Sequence, residues 1–158
     1  MARDKQSLTR RIAVTALIVV LLPIIIPFAA TVLVLYWLHK MALYGLIWLL
    51  WLPRGKDVLL VYSDSPIWHD YMTTQVIPLV QNRAVILNWS ERHKWSKWSF
   101  SVHVFRSFGG TNDFNPMVAV FQPFRRARLF RFWSAFKELK RGDNEPVTRL
   151  RLDLLQSL

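Results

Sequence analysis

The residues of this sequence with the clearest potential for chemistry are grouped between Asp64 and Asp70. Asp64, Ser65 and His69 bring together a carboxylate, a hydroxyl and an imidazole, the three groups that a serine hydrolase uses. Ser65 and His69 are four residues apart and would share one face of a helix. No nucleophile-elbow pattern surrounds Ser65, and an Asp or Ser before Pro66 is also typical of a helix start, where its side chain accepts backbone N–H bonds. The cluster predicts a helix cap, with a hydrolase site as the alternative.

Other catalytic and metal-binding chemistry has little support in the composition. The chain has no cysteine, which removes disulfides, thiolate metal sites and cysteine nucleophiles. Its four histidines lie in different predicted elements, and none has the i, i+4 partner of a helical zinc site. The loop SDSP after the first predicted strand lacks the glycines that let a backbone approach phosphate. We therefore expect no metal and no cofactor.

The elements that must position the cluster are predicted to form a mixed sheet with helices packed on it. Residues 57–62 and 84–89 are short apolar runs typical of strands buried on both faces. Between them, a helix over 66–81 carries an inward stripe with a period of four residues and is bent at Pro78.

Further along the chain, strict alternation predicts a half-buried strand over 100–108. A hairpin follows, formed by residues 117–121 and 128–133. Helices are expected over 134–141 and 146–158, the second of them with an apolar stripe along one face.

This order of elements, with certain residues, resembles the thioredoxin-like fold. The stretch DVLLVYSDSPIWHDYMTTQVIPLV is similar to the family's first core strand and active-site helix, in which a C-P-x-C type motif opens the helix and a proline kinks it. Ser65 and Trp68 stand where the family has its cysteines, and Pro78 matches the kink. The stretch FNPMVAVFQPFRRARLFRFW resembles the family's proline-led strand and hairpin, which implies that Asn115 and Pro116 form a cis-proline loop facing the helix.

The resemblance implies an α/β (α+β) fold class, a thioredoxin-like mixed sheet flanked by helices. Disulfide exchange requires a thiolate, so the family's redox activity does not carry over to a chain without cysteine. What remains of the resemblance is a scaffold for binding.

Residues 12–52 are predicted to anchor the chain in a membrane. They contain one charged residue, Lys40, and residues 12–38 alone exceed the roughly 20 apolar residues that a spanning helix needs. Pro23 and Pro27 should kink or break the helix, which leaves two layouts: a kinked span followed by an interfacial helix, or a hairpin.

The position of the globular domain, residues 53–158, depends on that layout. The basic tail, residues 1–11, is expected to stay in the cytoplasm, so a single span exports the domain and a hairpin keeps it inside. Basic residues flank both ends of the anchor, and we favour the cytoplasmic side of a plasma (inner) membrane.

The chain carries a formal net charge of +11, most of it after Pro53, which favours anionic partners. The predicted hairpin holds four arginines interleaved with aromatic residues: Arg125, Arg126, Arg128 and Arg131. Beside a membrane these would bind anionic lipid, or they would only keep a sheet edge from aggregating. The stretch WSERHKWSKW also mixes aromatic and basic residues as single-strand binders do. In a tethered protein, interfacial or packing roles are favoured, and we do not expect nucleic acid as a partner.

These observations predict a membrane-anchored, redox-inactive thioredoxin-like module without catalysis, which docks a partner protein or anionic lipid. The expected binding residues are Ser65, Trp68, Asn115 and Pro116, together with the four hairpin arginines. The alternative is an enzyme at the membrane surface that works through Asp64, Ser65 and His69.

Overall fold

The computed structural model describes the backbone of residues 2–158 and the side chains of residue 18 and residues 21–158. The chain divides into two compact units, the first ending at Ala42 and the second covering Leu43–Leu158. Helix α1, Ala2–Leu50, provides the first unit and continues into the second. By length and composition, the 34-residue segment Leu21–Arg54, which contains an 18-residue window with a mean hydropathy of 2.3, is long and apolar enough to cross a membrane.

Helix α1 runs without interruption through Pro23 and Pro27. Each proline removes one backbone hydrogen bond, but the bonds on either side continue the helix. The turn at these prolines that a hairpin layout requires is therefore not present in α1.

The last turns of α1 belong to the core of the second unit. Leu43, Ile47 and Trp51 are buried and follow one another at intervals of four residues, so they form one face of the helix. An interfacial helix was expected over residues 41–52, but its members Tyr44, Ile47, Trp48 and Trp51 pack against one face of the sheet. The compact unit consequently begins at Leu43 and not after Pro53.

The sheet has four strands in the order β2-β1-β3-β4, where β1 is Val58–Tyr62, β2 is Ala84–Asn88, β3 is Met117–Val120 and β4 is Arg128–Arg131. Strands β1 and β2 are parallel, whereas β1 with β3 and β3 with β4 are antiparallel. Four consecutive residues of β1, starting at Val58, are completely buried because both faces of the sheet are covered. The predicted strands at these positions and the predicted hairpin are confirmed.

The helical segment after β1 begins later than predicted and contains an irregular turn. It consists of α2 (His69–Tyr71), a π-helical turn (Met72–Val76) and α3 (Ile77–Val80). The predicted inward stripe is confirmed, because all its members from Trp68 to Val80 are buried. Pro78 cannot donate a backbone hydrogen bond, and just before it the Ile77 N–H bonds to the Met72 carbonyl in the π pattern.

The strand predicted over residues 100–108 is wrong: this stretch is helix α4, Phe100–Phe108. An alternation that lasts only five residues does not distinguish a strand from a helix whose buried face contains neighbouring positions. In the helix, Val102, Val104 and Phe105 are all buried. In a strand, the adjacent Val104 and Phe105 would point to opposite faces, so one covered face could not bury both. Helix α4 joins the end of α1 in covering one side of the sheet, and α5 (Trp133–Lys140) and α6 (Glu145–Ser157) follow β4 as predicted.

Candidate functional site

Ser63, the residue that follows β1, connects two of the side chains predicted to form a site. Its Oγ accepts a hydrogen bond from the Trp68 indole N–H at 3.1 Å and another from the Asn115 side-chain amide at 2.9 Å. Trp68 and Asn115 are thus brought together, as the sequence predicted. Ser63 itself was not selected from the sequence, although its place directly after a buried strand was a usable signal, because ligands often bind at the carboxyl ends of strands.

The side-chain amide of Asn115 donates this hydrogen bond, while its side-chain oxygen has no donor among the described residues. The Asn115–Pro116 peptide bond is cis, and Pro116 is buried where β3 begins. Among the residues that the structure describes, none donates a hydrogen bond to the buried Asn115 Oδ1. A buried acceptor without a donor costs about 1–3 kcal/mol. A ligand that supplies an N–H or O–H group there would recover that free energy.

An open cleft of about 500 Å³ lies beside these two residues. Trp68 and Asn115 line it together with Trp89, Phe114 and Trp133, and the loop Thr111–Asp113 adds polar groups. The cleft therefore offers aromatic walls together with several hydrogen-bonding groups.

Trp68 lines this cleft with only a small part of its side chain, because most of the residue is buried in the core. It is only 7% exposed, and its ring packs edge-to-face on Trp133 at 5.1 Å between centroids and against Phe136 at 6.0 Å. Its neighbour Ile67 is exposed, at 47%. The sequence missed the role of Trp133 as a wall of the cleft, because only the tertiary packing distinguishes it from other apolar residues.

Ser65 takes part through its backbone. Its carbonyl accepts hydrogen bonds from the N–H groups of Trp68 at 3.2 Å and His69 at 2.9 Å. The helix begins with Trp68 as its N-cap, and no side chain caps it. The predicted side-chain cap by Asp64 or Ser65 is therefore not formed, because the turn that starts at Pro66 moves the helix start further along the chain.

Asp64 joins the ends of two strands. Its carboxylate accepts a bond from the Asn88 side chain at 2.9 Å, and its N–H donates to Ser90 Oγ at 3.0 Å. The same carboxylate lies 3.5 Å from His69 Nδ1, a nitrogen without a hydrogen-bond partner in the described part of the chain. The acid and the imidazole of the hydrolase alternative are thus close, but among the described residues His69 forms no hydrogen bond with the Ser65 hydroxyl.

The four hairpin arginines are all exposed, but they do not form one cluster. Arg125 and Arg126 lie in the turn between β3 and β4, while Arg128 and Arg131 are the two ends of β4. The Arg131 guanidinium donates a hydrogen bond to the Gly109 carbonyl at 3.2 Å and so connects β4 to the loop after α4. Arg128 lies over the Phe130 ring at 5.5 Å.

The turn itself presents an exposed aromatic residue beside its two arginines. Phe124 is 91% exposed, and its ring lies 5.2 Å from that of Trp48 near the end of α1. At the end of the turn, the Ala127 N–H donates to the Tyr44 hydroxyl at 2.8 Å. The second unit begins at Leu43, so these contacts join the turn between β3 and β4 to the first residues of that unit.

In the described part of the chain, no group of three or more His, Cys, Asp and Glu side chains is placed to hold a metal ion. Comparisons of the chain with protein-family models, with curated proteins and with solved structures found no match.

Proposed function

We propose that this chain is a membrane-anchored, redox-inactive thioredoxin-like module that docks a partner protein in the cleft beside Trp68 and Asn115. The observation that carries the proposal is the buried Asn115 Oδ1, which has no donor among the described residues and belongs to a residue that lines an open, aromatic-walled cleft. A backbone or side-chain N–H of a partner would satisfy this acceptor, and the aromatic walls would bury apolar side chains of that partner.

The thioredoxin-like assignment is supported by the order of the elements and by the loop before β3. A strand, a helical segment containing Pro78, a second strand, a hairpin and a helix occur in the order that the resemblance used, with helix α4 in place of the strand expected over 100–108. The cis Asn115–Pro116 loop meets the start of the helical segment through Ser63, the arrangement expected of a proline loop that faces the active-site helix. With Ser65 and Trp68 in the cysteine positions, the module has no thiolate for disulfide exchange.

The membrane anchor is supported by the length and hydropathy of Leu21–Arg54 and by the exposure of its side chains, for example Ile24 at 66% and Phe28 at 70%. The unbroken helix favours one crossing, which places the tail and the globular domain on opposite sides of the membrane. We assign the domain to the cytoplasmic side of a plasma (inner) membrane, where its positive charge faces anionic lipid. This assignment opposes the tendency of the basic tail to remain inside, and the labelling experiment described in the Discussion decides between them.

Photo-crosslinking tests docking in the cleft. A photoreactive phenylalanine at Asn112, an exposed residue of the cleft, should capture a discrete partner in cells, whereas the same group at Thr148, exposed on α6, should not. Asn115→Ala should weaken the Asn112 adduct because it removes the acceptor. Equal adducts at both positions, or an Asn112 adduct that Asn115→Ala leaves unchanged, would contradict the proposal.

Anionic lipid at the hairpin turn is a second candidate function, favoured by one observation. Phe124 is almost fully exposed, its ring lies 5.2 Å from that of Trp48, and the exposed Arg125 and Arg126 follow it in the turn. An aromatic ring beside basic groups suits the headgroup region of a membrane, where each basic residue adds about 1 kcal/mol near an anionic surface.

A spin label at Pro123 tests lipid contact by the turn. In nanodiscs that contain phosphatidylglycerol, the label on the full chain should become more accessible to oxygen and less accessible to a water-soluble nickel complex than in phosphatidylcholine. Joint substitution Arg125→Ala and Arg126→Ala should remove this difference. The matched control is Lys137→Ala with Lys140→Ala, which removes the same charge from α5. An equal loss in the control would show that only net charge matters.

A hydrolase at the membrane surface remains the alternative function. It has the proximity of Asp64 to His69 in its favour and lacks a hydrogen bond between Ser65 and His69 among the described residues. This alternative requires that Ser65→Ala and His69→Ala abolish an activity while leaving the fold intact.

A further inference from the structure

A second cavity, of about 290 Å³, lies between the 3₁₀ helix Trp89–Lys94 and helix α4. Four aromatic residues line it: Trp89, Trp95, Phe105 and Phe114. Trp89 and Phe114 also line the cleft beside Asn115, so the two cavities share a wall. The size is close to that of the smaller ligand pockets in proteins.

The four rings support one another by edge-to-face contacts. Trp89 lies 4.8 Å from Phe114 and 5.6 Å from both Trp95 and Phe105, measured between ring centroids. Phe105 is buried, whereas the other three are only half-buried. Aromatic residues that are fixed in position by their neighbours and still reach solvent form a preorganised apolar surface for a flat ligand.

Two arginines complete the lining. Arg92 and Arg106 are both exposed, and the Arg92 guanidinium lies over the Trp89 ring at 5.2 Å and donates to the Trp89 carbonyl at 3.3 Å. No acidic side chain is among the described residues that line the cavity. The nearby Glu91 is engaged by Lys94 at 2.7 Å. The cavity therefore combines apolar walls with uncompensated positive charge.

We propose that this cavity binds a small anion with a flat apolar body, such as an aromatic carboxylate. The ring of the ligand would pack among the four aromatic residues, and its carboxylate would accept charge-assisted hydrogen bonds from Arg92 and Arg106. The segment WSERHKWSKW thereby gains a role that differs from nucleic-acid stacking: Trp89, Trp95 and Arg92 line one small site, while Trp98 is 96% exposed.

Fluorine NMR of the full chain in phosphatidylcholine nanodiscs tests this binding. The tryptophans are replaced by 5-fluorotryptophan, and the signals of Trp89 and Trp95 are assigned from the Trp89→Phe and Trp95→Phe variants. Titration with 2-naphthoate should shift both signals saturably. 2-Naphthol, with the same body and no charge, should bind about tenfold more weakly, the loss of one charge-assisted hydrogen bond.

Charge variants complete the experiment. Arg92→Gln with Arg106→Gln should weaken 2-naphthoate binding by about tenfold or more, while Arg125→Gln with Arg126→Gln should leave it unchanged. Four outcomes would overturn the proposal: no saturable shift of Trp89 and Trp95, equal binding of the two naphthalenes, an equal effect of the two double variants, or binding unaffected by loss of Arg92 and Arg106. The Trp95 signal distinguishes this site from the neighbouring cleft, because Trp95 lines only this cavity whereas Trp89 lines both.

Discussion

The Tyr44 hydroxyl accepts a hydrogen bond from the Ala127 N–H at 2.8 Å, which fastens the last turns of α1 to the hairpin turn. The same turns bury Leu43, Ile47 and Trp51 in the second unit. A helix that is apolar enough to cross a membrane thus ends as part of the core of the globular domain.

The first prediction concerns where the domain can be cut. A fragment of residues 43–158, with Leu46→Ser and Leu49→Ser on the exposed face, should fold, whereas residues 53–158 should not. The shorter fragment loses three buried side chains, each of which contributes about 1.5–3 kcal/mol, out of a total stability of about 5–15 kcal/mol. Dispersion of amide proton signals measures folding. A well-dispersed spectrum of residues 53–158 would show that α1 is dispensable.

The second prediction concerns Ser63. Ser63→Ala removes the common acceptor of Trp68 and Asn115, and should lower the free energy of unfolding by about 2 kcal/mol. Ser65→Ala is the matched control and should change it by less than about 0.5 kcal/mol, because the bonds that Ser65 forms with described residues use its backbone carbonyl. Urea denaturation measures both variants. Similar values for the two would mean that the shared acceptor contributes nothing.

The third prediction concerns the pair that joins the start of β1 to the start of β2. Asp57 is buried, and its carboxylate accepts hydrogen bonds from Nε of Arg83, at 3.0 Å, and from Nη2. Arg83→Ala leaves that carboxylate unpaired and should cost about 2 kcal/mol of stability, less than for a fully buried pair because the Arg83 side chain is 41% exposed. Arg83→Lys should recover part of the loss in the same denaturation assay; no loss in Arg83→Ala would contradict the prediction.

The same pair should add little pH dependence near neutrality through its cation. The hydrogen bond to Asp57 raises the pKa of the Arg83 guanidinium. A group with a raised folded-state pKa stabilises the fold fully below its unfolded-state pKa and loses that contribution only as the pH rises through the folded-state value. For arginine both lie far into the alkaline range, so the cost of Arg83→Ala should be constant across neutral pH.

The fourth prediction concerns sidedness. Single cysteines are placed at Ser7 and at Gln156, which is exposed on α6 beside the buried Ser157, in a chain that has no other cysteine. In intact cells an impermeant maleimide should label Ser7→Cys, while Gln156→Cys should need lysis. The reverse pattern would place the domain outside, and labelling of neither before lysis would indicate a hairpin.

Strong local patterns allowed much of the fold to be predicted. Strand β1 could be predicted without tertiary information because it is a short continuous apolar run. The inward stripe that ends at Val80 could be predicted because its buried residues recur every four positions. Helix α4 was missed because Phe100, Val102 and Val104 satisfy both periods over a short window. The end of α1 was missed because the same apolar residues suit a membrane and a protein core equally.

The candidate site was predictable in part. The proline loop and the start of the helical segment indicated Asn115 and Trp68, and both side chains donate hydrogen bonds to Ser63 Oγ. Ser63 could not be distinguished from other small polar residues, since its importance comes from two donors distant in sequence. The arginines were expected to act together, but Arg131 lies at the opposite end of β4 from the turn and bonds to a different loop.

The burial of Ile47 and Trp51 has a consequence for proteolytic shedding. A protease that cleaved just after Leu52 would release a chain whose sheet has lost the cover of α1 on one face, and this fragment would expose its core and be degraded. Cleavage at that site would thus be a means of destroying the domain, and the fold would persist only in the intact chain.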